Sequence, residues 1–159
     1  QTGNSGQARN SNSTVTPKAA TTNSTTANGE IDRSANREFE AAFALVRSKD
    51  FTSAIGALDS FLAKYPKSAY SDNARYWLGQ VHLVQGNQDQ AVTQFLSLIS
   101  EFPESTKLAA AQVKLGDIFV KQSEWEKAKE QYNAALKTSS GTYKQLAQKG
   151  LDKIRQAGK

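Results

Sequence analysis

Cysteine and methionine are absent from the 159 residues, histidine occurs once, as His82, and proline three times. Without cysteine there is no disulfide framework, thiolate metal site, iron–sulfur cluster or thiol nucleophile. A single histidine leaves a zinc enzyme or a Ser-His-Asp hydrolase without its parts. The longest wholly apolar runs are a few residues, far short of the ~20 that a membrane-spanning helix needs, and no signal-peptide stretch follows the first residues. A soluble chain without membrane insertion is therefore expected. Because it opens on Gln1 rather than Met, it reads as a processed or excised fragment. The glycines show no GxGxxG or GxxxxGK spacing, so nucleotide binding has no support. Glu38 and Glu40 face different sides of a helix, and Glu124, Glu126 and Glu130 alternate with Lys127 and Lys129 in the manner of a solvated face. No metal, cofactor or catalytic residue is expected, and the chain reads as a non-enzyme.

What is present falls into two regions. Of the first 36 residues, 21 are Ser, Thr, Asn or Gly, and the only large aliphatics are Val15 and Ile31. Such a segment buries too little apolar surface to offset its ordering entropy. Residues 1–33 are accordingly expected to form a disordered linker. From residue 34 apolar residues recur at helical spacing and strand-like alternation is missing. Helices are expected near 34–48, 51–64, 69–85, 88–101, 106–122, 124–138 and 142–157. Pro66-Lys67-Ser68 and Pro103-Glu104-Ser105 should end one helix and offer a serine N-cap to the next, and Gly86-Asn87 should break another.

A shift of 37 residues superposes Ala54, Ala91 and Ala128, then Leu58, Phe95 and Tyr132, then Phe61, Leu98 and Ala135, and Pro66 with Pro103. The same shift pairs Leu78-Gly79 with Leu115-Gly116, and Ala41-Ala42 stands in their place in the first unit. Small residues at Ala42, Gly79 and Gly116, facing the alanines of the partner helix, predict helical hairpins whose two helices approach closely. Each hairpin alone exposes an apolar face, so stacking buries it. The expected fold is all-α, an α-solenoid of three hairpins (about 35–68, 69–105 and 106–140) with a C-terminal capping helix at about 142–157.

This pattern of Leu-Gly, an aromatic, Ala, a large apolar residue, Ala and Pro resembles the tetratricopeptide (TPR) repeat, which implies a right-handed superhelix. Units of 37 rather than 34 residues lengthen the turns at Tyr65–Tyr70 and Phe102–Ser105. With Asn73-Ala74-Arg75-Tyr76-Trp77-Leu78-Gly79-Gln80, these turns resemble the C-terminal TPR domain of the YbgF/CpoB family of Tol-Pal system proteins, the cell-division coordinators. That resemblance implies a periplasmic protein with an upstream trimerising coiled coil, absent here, and a polar linker. It also implies binding to TolA and modulation of a bifunctional peptidoglycan synthase, a second candidate partner, during outer-membrane constriction.

In the TPR family the first helix of each hairpin lines a concave groove. The resemblance carries those groove positions to Asn36, Phe39, Phe43 and Arg47, to Asn73, Tyr76, Gln80 and Leu83, and to Val113, Asp117 and Lys121. Phe39, Phe43 and Tyr76 would be apolar anchors for a partner segment, with Asn73 and Gln80 bonding its backbone. Charge is uneven: residues 37–106 carry a net −2 and residues 107–159 a net +6. A basic nucleic-acid-binding solenoid is one alternative, although stacking aromatics and an Arg-rich run are missing from the basic part. A TPR adaptor in outer-membrane protein assembly or lipoprotein trafficking is another.

Overall fold

Apolar residues every third or fourth position, interrupted only at Pro66, Pro103 and the turns between helices, leave helices as the elements that can bury them. The computed structural model describes residues 23–159. Among these it has seven helices: α1 (Asn23–Arg47), α2 (Phe51–Lys64), α3 (Ser71–Val84), α4 (Gln88–Glu101), α5 (Leu108–Lys121), α6 (Trp125–Thr138) and α7 (Thr142–Gln156). No strand occurs among the described residues. The hairpins α1–α2, α3–α4 and α5–α6 stack in chain order, and α7 closes the end against α5 and α6. This is an α-solenoid, in which each unit meets mainly its neighbours.

Residues 1–22 of the expected linker lie outside the described residues. Its end is helical: α1 begins at Asn23, well ahead of the start expected near residue 34. A helix nucleated by packed residues extends upstream at little cost per residue. On this helix Ala35 is wholly buried, whereas Ile31, one turn upstream, is 52% exposed.

The turns after Pro66 and Pro103 depart from the expected serine caps. The residues flanking α3 and α5, Tyr70 and Lys107, make no side-chain cap bond, and the helices start at Ser71 and Leu108. Ser68 and Ser105 instead brace the preceding turn, their hydroxyls accepting from the N–H of Tyr70 at 3.2 Å and of Lys107 at 3.0 Å. The hydroxyl of Ser105 also donates to Asp72 Oδ2 at 2.6 Å, which ties this turn to the start of α3. The buried Ser71 hydroxyl donates to the Tyr65 carbonyl at 2.6 Å and accepts from the Ser68 N–H at 2.8 Å, so a polar side chain without solvent contact keeps its bonds.

The first helix of each hairpin ends alike. Lys49, Gly86 and Ser123 have φ of 63°, 80° and 61°. The next N–H in each case bonds back to a carbonyl five residues earlier, Asp50 to Leu45 at 3.0 Å, Asn87 to His82 at 2.9 Å and Glu124 to Phe119 at 2.8 Å. This is the left-handed C-terminal cap in which glycine is the unstrained residue. Only the second unit has one.

The superposed apolar positions form the core. Ala54, Ala91, Ala128, Leu58, Phe95, Tyr132, Phe61, Leu98 and Ala135 are each at most 2% exposed. Fully burying one Leu or Phe contributes about 1.5–3 kcal/mol. The close approach inferred from the small residues is present: a Cβ on Gly79 would lie 2.7 Å from the Phe95 ring, and one on Gly116 would lie 2.5 Å from the Tyr132 ring. In the first hairpin Ala42 and Leu58 occupy the same two places, a larger residue set against a smaller one. Gly150 of α7 also closes on Tyr132. The helix expected only to cap the stack thus repeats the packing of α5 against α6.

Candidate partner-binding groove

The side chains expected to line the groove come from α1, α3 and α5, and tertiary packing treats them unequally. On α1, Phe39 is buried, stacking on Phe43 at 6.0 Å and on Tyr70 at 5.5 Å. Phe43 is half-buried, 4.8 Å from Trp77 of the next hairpin, and the exposed Arg47 guanidinium sits 5.2 Å over its ring. Asn36 lies apart on the exposed upstream surface of α1, beside Glu30, Arg33 and Arg37. The structure therefore gathers Phe39, Phe43 and Arg47 at the first junction and leaves Asn36 outside it.

On α3, Tyr76 is only 8% exposed, its ring 5.9 Å from Phe95 and edge-on to Trp77 at 5.6 Å. Its hydroxyl accepts from Gln80 Nε2 at 2.7 Å. Burial pushes the phenol pKa up, with the Gln80 bond opposing. Asn73 turns back on its own helix, both its backbone N–H and its Nδ2 donating to Asp72 Oδ1 at 2.6 and 3.1 Å. Leu83 is half-buried between the second and third hairpins, with Asp117 and Lys121. Phe39 and Tyr76 thus spend most of their surface inside the stack.

On α5, Val113 is buried and Asp117 and Lys121 are exposed. Asp117 Oδ1 accepts from the Tyr132 hydroxyl at 2.7 Å. Burial first, and that carboxylate second, hold the Tyr132 phenol far above its usual pKa.

Sequence reading missed several residues at these junctions. Val46, Phe51, Trp77 and Val84 surround an apolar cleft between the first two hairpins, with Val84 64% exposed. At the other end a cleft of about 400 Å³ lies between α5 and α7, where Leu146, Lys149 and Lys153 join Val113, Asp117 and Lys121. The overlooked signal for α7 was Gly150, thirty-four residues after Gly116, which marks α7 as the first helix of a further unit.

His82 occupies the aromatic position of α3 and is buried, with Nδ1 unbonded. Desolvation lowers its pKa, and Asp59 partly opposes this. No group of His, Cys, Asp or Glu able to hold a metal occurs among the described residues, and none of their helices is long and apolar enough to cross a membrane.

Stacked helical hairpins of this kind are the architecture of a helical-repeat solenoid, and comparison with known proteins agrees. The family described as a tetratricopeptide repeat-like domain matches residues 6–156. The chain belongs to that family. As a TPR domain it is a protein-interaction module. It is similar to the cell division coordinator CpoB of Pseudomonas putida, with 51% identity over 49 residues, which is 31% of this chain and 18% of that protein. It is also similar to CpoB of Escherichia coli strain K12, with 45% identity over 49 residues, or 30% of this chain and 19% of that protein. The matched stretch spans less than a fifth of either relative.

Proposed function

We propose that this TPR domain captures a segment of TolA along the face formed by α1, α3 and α5, in the periplasm, as part of a cell-division coordinator. Through this contact, and through a bifunctional peptidoglycan synthase, the parent protein would link outer-membrane constriction to cell-wall synthesis. The observation that carries the reading is the row of junction clefts, apolar at Trp77 and Val84 and polar at Gln80 and Asp117, in a TPR domain similar to CpoB. Clefts of this kind suit a partner segment whose side chains enter between hairpins while its backbone meets amides. No catalytic chemistry is assigned to the domain.

The test is a calorimetric titration of the full chain with the purified periplasmic part of TolA at physiological salt, with random-sequence DNA as the control. Saturable binding to TolA alone is the expected result. Silence with TolA withdraws this partner and returns the choice to an assembly or trafficking adaptor. Binding to DNA that fades steeply with salt would replace the reading with a nucleic-acid-binding one.

A further inference from the structure

The cleft between α5 and α7 differs from the other junctions in its charge. Lys121 of α5 and Lys149 and Lys153 of α7 surround it, and among the described residues none of the three meets a carboxylate within ion-pair distance. Lys149 and Lys153 are four residues apart on one helix, so their ammonium groups lie on one face, about 6 Å apart at the Cβ atoms. Beneath them the surface is apolar, built by Val113, Val120 and the 44% exposed Leu146. Asp117, also in the cleft, is engaged by the Tyr132 hydroxyl. The charge excess of the chain is concentrated at this end.

We propose that this cleft seats an acidic, apolar segment of the partner protein, its carboxylates on Lys121, Lys149 and Lys153 and an apolar side chain against Val113 and Leu146. The proposal rests on the groove reading above and adds a direction: the acidic end of the bound segment lies toward α7. The apolar floor between the lysines selects a peptide over a polyphosphate chain. Consecutive phosphates bring no apolar side chain to set against Val113 and Leu146. Arg155, the only arginine after residue 107, is paired with Asp152 at 3.2 Å. Steering by lysines that lack ion-pair partners acts over about a Debye length, roughly 8 Å at physiological salt.

The test uses the full chain and two synthetic amphipathic peptides, one of Leu and Glu and its isostere of Leu and Gln, followed by fluorescence anisotropy at physiological salt. The Glu peptide should bind roughly tenfold tighter than the Gln peptide. Lys149→Gln with Lys153→Gln should cost the Glu peptide roughly fivefold and leave the Gln peptide unchanged, since both lysines are exposed and the fold does not depend on them. Equal affinity for the two peptides overturns acidic recognition while leaving groove capture intact. A Glu preference that survives the double substitution overturns the placement at α7. Failure of both peptides while TolA binds sinks this proposal alone, whereas failure of both peptides and TolA removes the groove reading with it. Phosphatidylglycerol vesicles or DNA binding more tightly than the Glu peptide, and weakened by the same substitutions, would show a polyanion surface instead.

Discussion

Replacing Gly79 with Ala tests the packing rule that organises the stack. In an exposed helix the change would stabilise by about 1 kcal/mol, because alanine is the better helix former. Here the new Cβ would lie 2.7, 2.8 and 3.0 Å from three carbons of the Phe95 ring, inside ordinary contact distance. Phe95 is wholly buried and packed against Tyr76, so its ring has no space to retreat into. Overpacking of this kind costs about 1–3 kcal/mol. The two effects leave Gly79→Ala less stable by roughly 1 kcal/mol, a fall in Tm of about 4 °C at this chain length. Gly116→Ala should cost more, about 2 kcal/mol, since Tyr132 is closer, is hemmed by Gly150 and is held by Asp117. The first hairpin, with Ala42 and Leu58, suggests the remedy. Phe95→Leu alone should destabilise by about 1–2 kcal/mol, yet in the Gly79→Ala background it should cost close to nothing. Urea unfolding followed by far-ultraviolet circular dichroism on the four proteins gives the coupling. Additivity within about 0.5 kcal/mol, or stabilisation by Gly79→Ala alone, would refute the reasoning.

Three other perturbations follow from the same structure. Lys49→Gly and Ser123→Gly place glycine at the left-handed caps and should each raise stability by about 0.5–1 kcal/mol in urea melts, while Gly86→Ala should lower it. Burial keeps His82 neutral in the fold, with a pKa below the ordinary 6.5. The unfolded chain therefore binds the extra proton, and the stability present above about pH 6.5 should fall as pH drops below it. Glu38, its pKa lowered by the Lys64 and Tyr65 hydrogen bonds, adds a further loss below the ordinary carboxylate value of 4.5. His82→Phe should flatten the first of these steps and leave the second, and an unchanged profile would remove His82 as its source. Phe43→Ala with Tyr76→Ala should weaken TolA binding in calorimetry. Because Tyr76 is buried, that protein should also lose about 3 kcal/mol of stability; undiminished affinity in the still-folded variant would exclude these two rings as anchors.

The helices, their order and the 37-residue register were legible in the sequence because each depends on nearby residues. Helical periodicity names the buried face, Pro66 and Pro103 stop the chain, and a small residue at Ala42, Gly79 and Gly116 requires a close partner wherever the hairpin closes. The expected helix limits in the packed region accordingly hold to within a few residues. The serine caps failed because the hydroxyls of Ser68 and Ser105 are taken by Ser71 and the Tyr70 N–H and by Asp72 and the Lys107 N–H, partners set by how the turns fold back. The upstream extension of α1 was not legible because composition measures what can be buried, and residues 29–33 of that extension are exposed.

The candidate groove was legible only as a set of positions. The sequence alone determined that Phe39, Phe43, Tyr76 and Val113 share the first helices of successive hairpins. Tertiary structure decided that Phe39, Tyr76 and Val113 are buried and that Trp77, Val84 and Leu146 present apolar surface. It also brought Lys149 and Lys153 across to Lys121. The physical reason is that a helix's own periodicity states which residues share a face. How much of that face remains open depends on how neighbouring hairpins settle on one another, and that is fixed by contacts between residues far apart in the chain, such as Gly150 on Tyr132 and Phe43 on Trp77.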